Sequence, residues 1–203
     1  MLEEIGAWDP YNVTEDADLA VRLARFGYRT ESLHFPTREH GQEDFPSWLS
    51  QRTRWFKGWL LTWLVHMRRP ARLLSDLGVF SFVVFQILFA GMLVSAIAHP
   101  LLLATGLILA GKLALQVPLD GRQHALFAID AVNIFCGYAS FLLLGWQSLE
   151  RGERRGFWKI VAMTPVYWAM MSLAALRAVM QLAHTPHVWE KTPHRRTAPD
   201  TAW

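Results

Sequence analysis

The stretch GVFSFVVFQILFAGMLVSAIA, Gly78–Ala98, contains no charged side chain, and the run without Asp, Glu, Lys or Arg continues to Gly111. A bilayer span needs about 20 predominantly apolar residues, whereas a helix at the surface of a soluble protein keeps a polar face. This stretch therefore reads as a transmembrane helix. Beyond it, His99-Pro100 predicts a tight break, and Leu101 to about Leu119 reads as a second, shorter span in which Lys112 snorkels towards headgroups. About Leu126 to Leu149 reads as a third. Phe157 to Ala183 reads as a fourth, interrupted by Pro165 and carrying Arg177. Asp130 and Arg177 are candidates for a pair within the membrane or, lying near span ends, for side chains that simply reach water.

Charge flanks these stretches in three clusters: Arg68, Arg69 and Arg72; Arg151, Arg154, Arg155 and Lys159; and Lys191, Arg195 and Arg196. The positive-inside rule draws all three to the cytoplasmic side. Four complete spans would put the 150–159 loop outside. Either the last segment is interfacial or re-entrant, or an earlier stretch is not a simple span. Pro165 and Arg177 favour the first solution, and the expectation is three to four membrane helical segments.

The 203 residues are 52% hydrophobic with ten Trp and a net charge of +3. A modest positive charge concentrated beside membrane segments points to lipid headgroups and argues against nucleic acid as a partner. The single cysteine, Cys136, excludes an internal disulfide and a cysteine-based metal cluster. The eight His show no ligand spacing on one helix face, so no metal is expected on them.

The N-terminal third is polar and reads as a mixed α/β segment. NVTEDADLAVRLARFGY, starting at Asn12, gathers Glu15, Asp16 and Asp18 ahead of a basic and apolar run. Thr14 is placed to cap a helix running to Phe26, and Gly27 supplies a left-handed stop. YRTESLHFP, residues 28–36, reads as a short strand ended by Pro36. A second helix runs from about Ser47 to Met67, with Trp48, Arg52, Trp55, Trp59 and Trp63 at three- and four-residue steps. An aromatic stripe of this kind suits a helix lying in the membrane interface.

Two readings of the acidic knot stand side by side. Carboxylates in a first helical turn favour the macrodipole and need no further role. Alternatively, Asp16 at the mouth of a cleft accepts a proton from a substrate hydroxyl. On the second helix, Gln51, Arg54 and Trp55 stand at i, i+3 and i+4 and share one face. An amide and a guanidinium bond hydroxyls or phosphate, and an indole stacks on a sugar ring. A simple Trp/Arg membrane anchor explains the aromatics as well, but not Gln51.

Thr14-Glu15-Asp16 followed by Gln51-Arg52-Thr53-Arg54-Trp55 resembles the T-E-D and Q-x-x-R-W pair of membrane-bound, inverting family 2 glycosyltransferases, the relatives of cellulose, hyaluronan and chitin synthases. The likeness runs through GAWDPYNVTEDADLAVRLARFGYRT, QRTRWFKGW and HVWEKTPH, and is to the C-terminal part of bacterial members. It implies that Asp16 is the catalytic base, with Thr14 and Glu15 completing its motif. It also implies that Gln51, Arg54 and Trp55 line the acceptor site and touch the donor diphosphate. Trp8 and Asp9 resemble the loop that shapes the acceptor pocket. Lys191 and Thr192 correspond, at a different spacing, to the gating segment of processive synthases.

The implied architecture is α/β plus membrane α-helical. Residues 1–46 would be the C-terminal part of a GT-A (Rossmann-like) catalytic domain, and 47–76 the interfacial amphipathic helix. Residues 77–184 would form the transmembrane region and 185–203 a cytoplasmic tail. The implied setting is the bacterial inner membrane, multi-pass, with the catalytic part cytoplasmic. Nucleotide-sugar, glycan acceptor and membrane lipids are the expected partners. No Gly-rich turn follows a strand, so the donor-binding half is expected elsewhere, on a separate chain or in the remainder of a full synthase. The Mg²⁺ or Mn²⁺ of the full enzyme would be held there rather than by this fragment, which is expected to be inactive alone. The competing reading is a non-catalytic membrane subunit or scaffold derived from a glycosyltransferase.

Overall fold

A computed structural model describes residues 2–9, 12–31, 41–149 and 152–185. The elements are α1 (Glu15–Arg25), α2 (Phe45–His66), α3 (Pro70–Phe85), a π-helical turn (Gln86–Gly91), α4 (Met92–Ala114), α5 (Gly121–Ser148), a 3-10 turn (Glu153–Gly156) and α6 (Phe157–His184). Among the described residues there is no strand. Tyr28–Glu31 is neither helix nor strand, and the rest of the stretch expected as a strand lies outside the described residues. A strand needs neighbours to pair with, and none is present among the described residues. The α/β expectation is thus corrected to helix for what is described.

Local sequence explains the helix ends. Gly27, at φ +80°, takes the left-handed conformation that closes α1 after Phe26. Asp44 caps α2 by accepting the Ser47 N–H at 2.8 Å, with Pro46 in the first turn. Asp120 and Gln123 form a reciprocal capping box at α5.

The membrane segments fall within the three to four expected, but are divided differently. Among the described residues, three helical stretches are long and apolar enough to cross a bilayer: Pro70–Ala114, Gly121–Ser148 and Arg154–His184. No break occurs at His99-Pro100, because α4 runs through Pro100. Proline's fixed φ is compatible with a helix, and in an apolar setting a true break would strand more backbone polar groups than the one bond proline forfeits. The irregularities lie upstream instead, at Gly78 (φ 75°, ψ 165°) and in the π turn. Pro165 likewise sits inside α6 without ending it, so length and composition no longer set that segment apart from the others. Large apolar side chains point outwards along these stretches, Phe80 at 82% and Phe135 at 73% exposure, as lipid-facing positions require.

The chain divides into two compact units. The first comprises Met1–Leu93 with Ala174–Trp203. Its core joins Val21 of α1 to Leu73 and Phe85 of α3, with Trp63, Met67, Leu77, Phe82 and Phe89 packed around them. The Trp63 indole donates to Gln86 Oε1 at 2.8 Å, and Gln86 Nε2 donates to Met67 Sδ at 3.1 Å. The amide in this otherwise apolar run is thereby satisfied. The C-terminal end of α6 is held to α2: Arg177 donates to Thr53 Oγ1 at 3.5 Å, and buried Lys57 donates to the Thr185 carbonyl at 2.6 Å. A lysine ammonium at a helix C-terminus meets the negative end of the dipole. Ala174, Ala175 and Ala178 are fully buried, small residues of the kind that let helices approach closely.

The second unit, Val94–Leu173, contains most of α4, all of α5 and the first part of α6. His99 Nε2 lies 3.0 Å from the Tyr138 hydroxyl, and the His99 ring packs 5.4 Å from Trp168. Buried Asp130 accepts the Thr105 hydroxyl at 2.7 Å. Asp130 and Arg177, expected as a pair, are thus each met by a residue of their own unit.

Candidate active site

The site is built on one helix against one turn. Asn12 starts it: buried, it accepts the Thr14 N–H on Oδ1 at 3.0 Å and donates through Nδ2 to Thr62 Oγ1 of α2 at 2.8 Å. The first bond is an Asx turn, a local habit of asparagine. The second ties that turn to α2. The Thr14 hydroxyl faces Asn12 Oδ1 at 3.4 Å, and Thr14 occupies the N-cap position of α1 without a side-chain cap bond. The expected capping role is corrected on this point: the hydroxyl is turned towards Asn12 rather than back to the helix amides.

Gly58 allows the contact. A Cβ added there would stand 2.2 Å from Thr14 Oγ1 and 2.7 Å from Thr14 Cβ. Every neighbouring position in RWFKGWLLTW is larger, and only glycine lets the turn lie directly on the helix. With Thr14 seated, Glu15 and Asp16 enter the first turn of α1, where the dipole favours carboxylates. Asp16 is exposed; its Oδ1 accepts the Ala17 N–H at 2.8 Å, which leaves Oδ2 for another donor.

A cleft of about 400 Å³ results, lined by Trp8, Val13, Thr14, Glu15, Asp16, Arg54, Trp55 and Trp59. Two carboxylates, a guanidinium and three indoles thus face one space. The Arg52 guanidinium lies 4.2 Å from the Trp55 ring centre, a cation–π contact that backs the indole. Of the residues singled out in the sequence, Thr14, Glu15, Asp16, Trp8, Arg54 and Trp55 line this cleft. Gln51 does not; it is half-buried two turns before Gly58 on the same helical face. Asp9 lines an adjacent cleft of about 640 Å³. Lys191 and Thr192 lie outside the described residues.

That neighbouring cleft contains a polar network under the site. Arg22 donates to Asp18 Oδ2 at 2.8 Å and to the Ile5 and Ala7 carbonyls at 2.7 and 2.6 Å. It thereby pins the loop that carries Trp8. His66 Nε2 lies 3.0 Å from Asp18 Oδ1, and Arg25 Nη1 lies 3.1 Å from His66 Nδ1. A guanidinium only donates, so Nδ1 accepts and Nε2 bears the hydrogen given to Asp18. Arg25 also forks onto Asp76 Oδ2 at 2.9 and 2.7 Å. Burial alone would raise the Asp18 carboxyl, but the His66 bond and the Arg22 charge outweigh it, and the net shift is below the ordinary carboxylate value.

A depressed folded-state pKa contributes stability that is present above the unfolded value near 3.8 and is lost as pH falls through the folded one. Asp18→Asn is therefore expected to lower stability by about 3 kcal/mol at neutral pH, the cost of breaking a buried pair. The difference from wild type should shrink below about pH 3.8. Denaturation midpoints in detergent at pH 7 and pH 3 check this; a constant difference would contradict it.

Residues 1–114 match the family described as Glycosyl transferase family group 2. The chain belongs to this family. The match covers the cleft and reaches to the end of α4. The chain is also 31% identical over 106 residues to the probable glycosyltransferase YdaM of Bacillus subtilis (strain 168), over 48% of this chain and 24% of that protein. It thus spans about a quarter of the length of that curated relative. No solved structure matches it significantly. Among its described residues, no group of three or more His, Cys, Asp or Glu is placed to hold a metal ion.

Asn12, Asp18, Gly58, Thr62 and His66 were not singled out as functional in the sequence. One signal was available: an isolated glycine within a bulky helical pattern has a packing reason, and Gly58 is such a glycine. The partnership of Asp18 with His66, 48 residues apart, has no local signature.

Proposed function

We propose that this chain is the acceptor-side part of a membrane glycosyltransferase of the cellulose, hyaluronan and chitin synthase kind. The observation that carries the reading is the cleft itself, which gathers Thr14, Glu15 and Asp16 with Arg54 and Trp55 from motifs far apart in sequence. Asp16 Oδ2 takes the proton from an acceptor hydroxyl as its oxygen attacks the anomeric carbon of a nucleotide sugar. The bond from that carbon to the diphosphate oxygen breaks on the opposite face, the configuration inverts, and the nucleoside diphosphate leaves. Trp55 stacks under the acceptor sugar, and Arg54 bonds its hydroxyls or the leaving diphosphate. Gln51 and Asp9 act at the margins of the acceptor site.

The donor half and its Mg²⁺ or Mn²⁺ are proposed to lie in parts of the enzyme not represented in this chain. The site is proposed to face the cytoplasm, in keeping with the basic residues Arg68, Arg69 and Arg72 that precede the first apolar run. Lys191 and Thr192 are proposed to act as its gating segment.

The test is transfer of labelled sugar from UDP- and GDP-sugars by membranes containing the active enzyme. Trp55→Ala is expected to raise the acceptor KM about tenfold, the loss typical of truncating an aromatic anchor. An unchanged KM together with undiminished transfer would remove Trp55 from the site and favour a scaffold.

A further inference from the structure

Trp59 has no role in the sequence motifs, and as part of an aromatic stripe it reads as a membrane anchor. Its position in the folded chain is different. It lines the same cleft as Thr14, Glu15, Asp16 and Arg54, so its ring shares that space with charged groups. Its ring centre stands 6.3 Å from that of Trp55, with the planes inclined at 37°. The two residues are one helical turn apart, which separates them by about 6 Å along α2. Both rings are braced: Arg52 covers Trp55 at 4.2 Å, and Phe56, 2% exposed, meets Trp59 edge-on at 5.9 Å.

Two braced indoles in a row, with carboxylates and a guanidinium at their edges, match the faces and hydroxyl rims of two successive pyranoses. The spacing is of the order of one residue of an extended glycan. A lipid tail would use the indoles but leave the charged edge desolvated without partners. Resting on the acceptor-site reading above, we propose that Trp59 is a second acceptor platform. The cleft then holds at least two consecutive sugars, the terminal one over Trp55 and the penultimate one over Trp59. Trp59 thereby sets a preference for oligosaccharide over monosaccharide acceptors.

The experiment is binding, measured by saturation-transfer NMR on the chain in phosphatidylcholine nanodiscs. The probes are glucose, cellobiose and cellotriose, and GlcNAc, chitobiose and chitotriose. Wild type should bind the disaccharide of the accepted series about tenfold more tightly than the monosaccharide, with Trp59→Ala erasing that gain and sparing monosaccharide binding. Trp59→Phe, which keeps a ring against Phe56 and guards against misfolding, should retain most of it. Equal length dependence in wild type and Trp59→Ala would overturn the proposal and leave the acceptor site standing. Wild type binding monosaccharide and oligosaccharide equally would do the same. Failure of every saccharide to bind wild type would overturn the acceptor-site reading and this proposal with it.

Discussion

Asp16→Asn is expected to reduce sugar transfer by about 10³-fold with the acceptor KM little changed, since a positioned general base contributes some 10²–10⁴-fold. The amide keeps the size of the carboxylate and can still accept the Ala17 N–H on its oxygen, as Asp16 Oδ1 does at 2.8 Å. It offers no basic oxygen for the acceptor proton. Asp16 is exposed at the first turn of α1, so the replacement should not disturb folding, and loss of one first-turn charge costs only about 0.3–1 kcal/mol. Activity and stability are therefore expected to separate, with transfer falling and the thermal midpoint nearly unmoved. Transfer at full rate in Asp16→Asn membranes would remove the residue from the chemistry. The helix-cap reading of the acidic knot would then be the whole account. Glu15→Gln provides a comparison in the same turn; a loss far smaller than that of Asp16→Asn would identify the specific carboxylate.

The helices were legible where the signal is local. Gly27 and the acidic first turn bounded α1, and the indole stripe marked most of α2. The run around Gly78–Ala98 declared a membrane segment. Pro100 misled because proline's reputation as a helix breaker comes from aqueous settings, where freed carbonyls find water; α4 continues through it. The part of the expected strand that is described, residues 28–31, is neither helix nor strand; β-propensity depends on a paired neighbour that a short peptide pattern cannot supply. In the cleft, residue types and spacing on α2 were readable. The join between α1 and α2 was not, because it depends on Asn12 reaching Thr62 across 50 residues and on the absence of a side chain at Gly58. Trp59 and Trp63 looked equivalent in the stripe. Folding separates them: one lines the cleft and the other bonds Gln86 beneath it.

Gly58→Ala should be the most damaging conservative change in the chain. Its new methyl would have to occupy space 2.2, 2.5 and 2.7 Å from the three side-chain atoms of Thr14, and no rotation of Thr14 moves its Cβ away. The turn must therefore lift off α2, and the Asn12–Thr62 bond at 2.8 Å opposes that movement. Overpacking of this kind costs about 1–3 kcal/mol. The functional loss should be larger, because a displacement of about 1 Å between the base and the acceptor platform can cost on the order of 10²-fold in rate. Helix propensity works in the other direction, since alanine in a helix interior is favoured over glycine by about 1 kcal/mol. A simple propensity argument predicts a stabilised, active variant, and the two accounts disagree in sign. A double-mutant cycle decides between them. In a Thr14→Gly background the clashing atoms are gone, so adding Gly58→Ala should cost little further activity and should raise the thermal midpoint. If Gly58→Ala is as harmful there as in wild type, the damage does not pass through Thr14, and contact between this turn and α2 is not what holds Asp16 over the cleft.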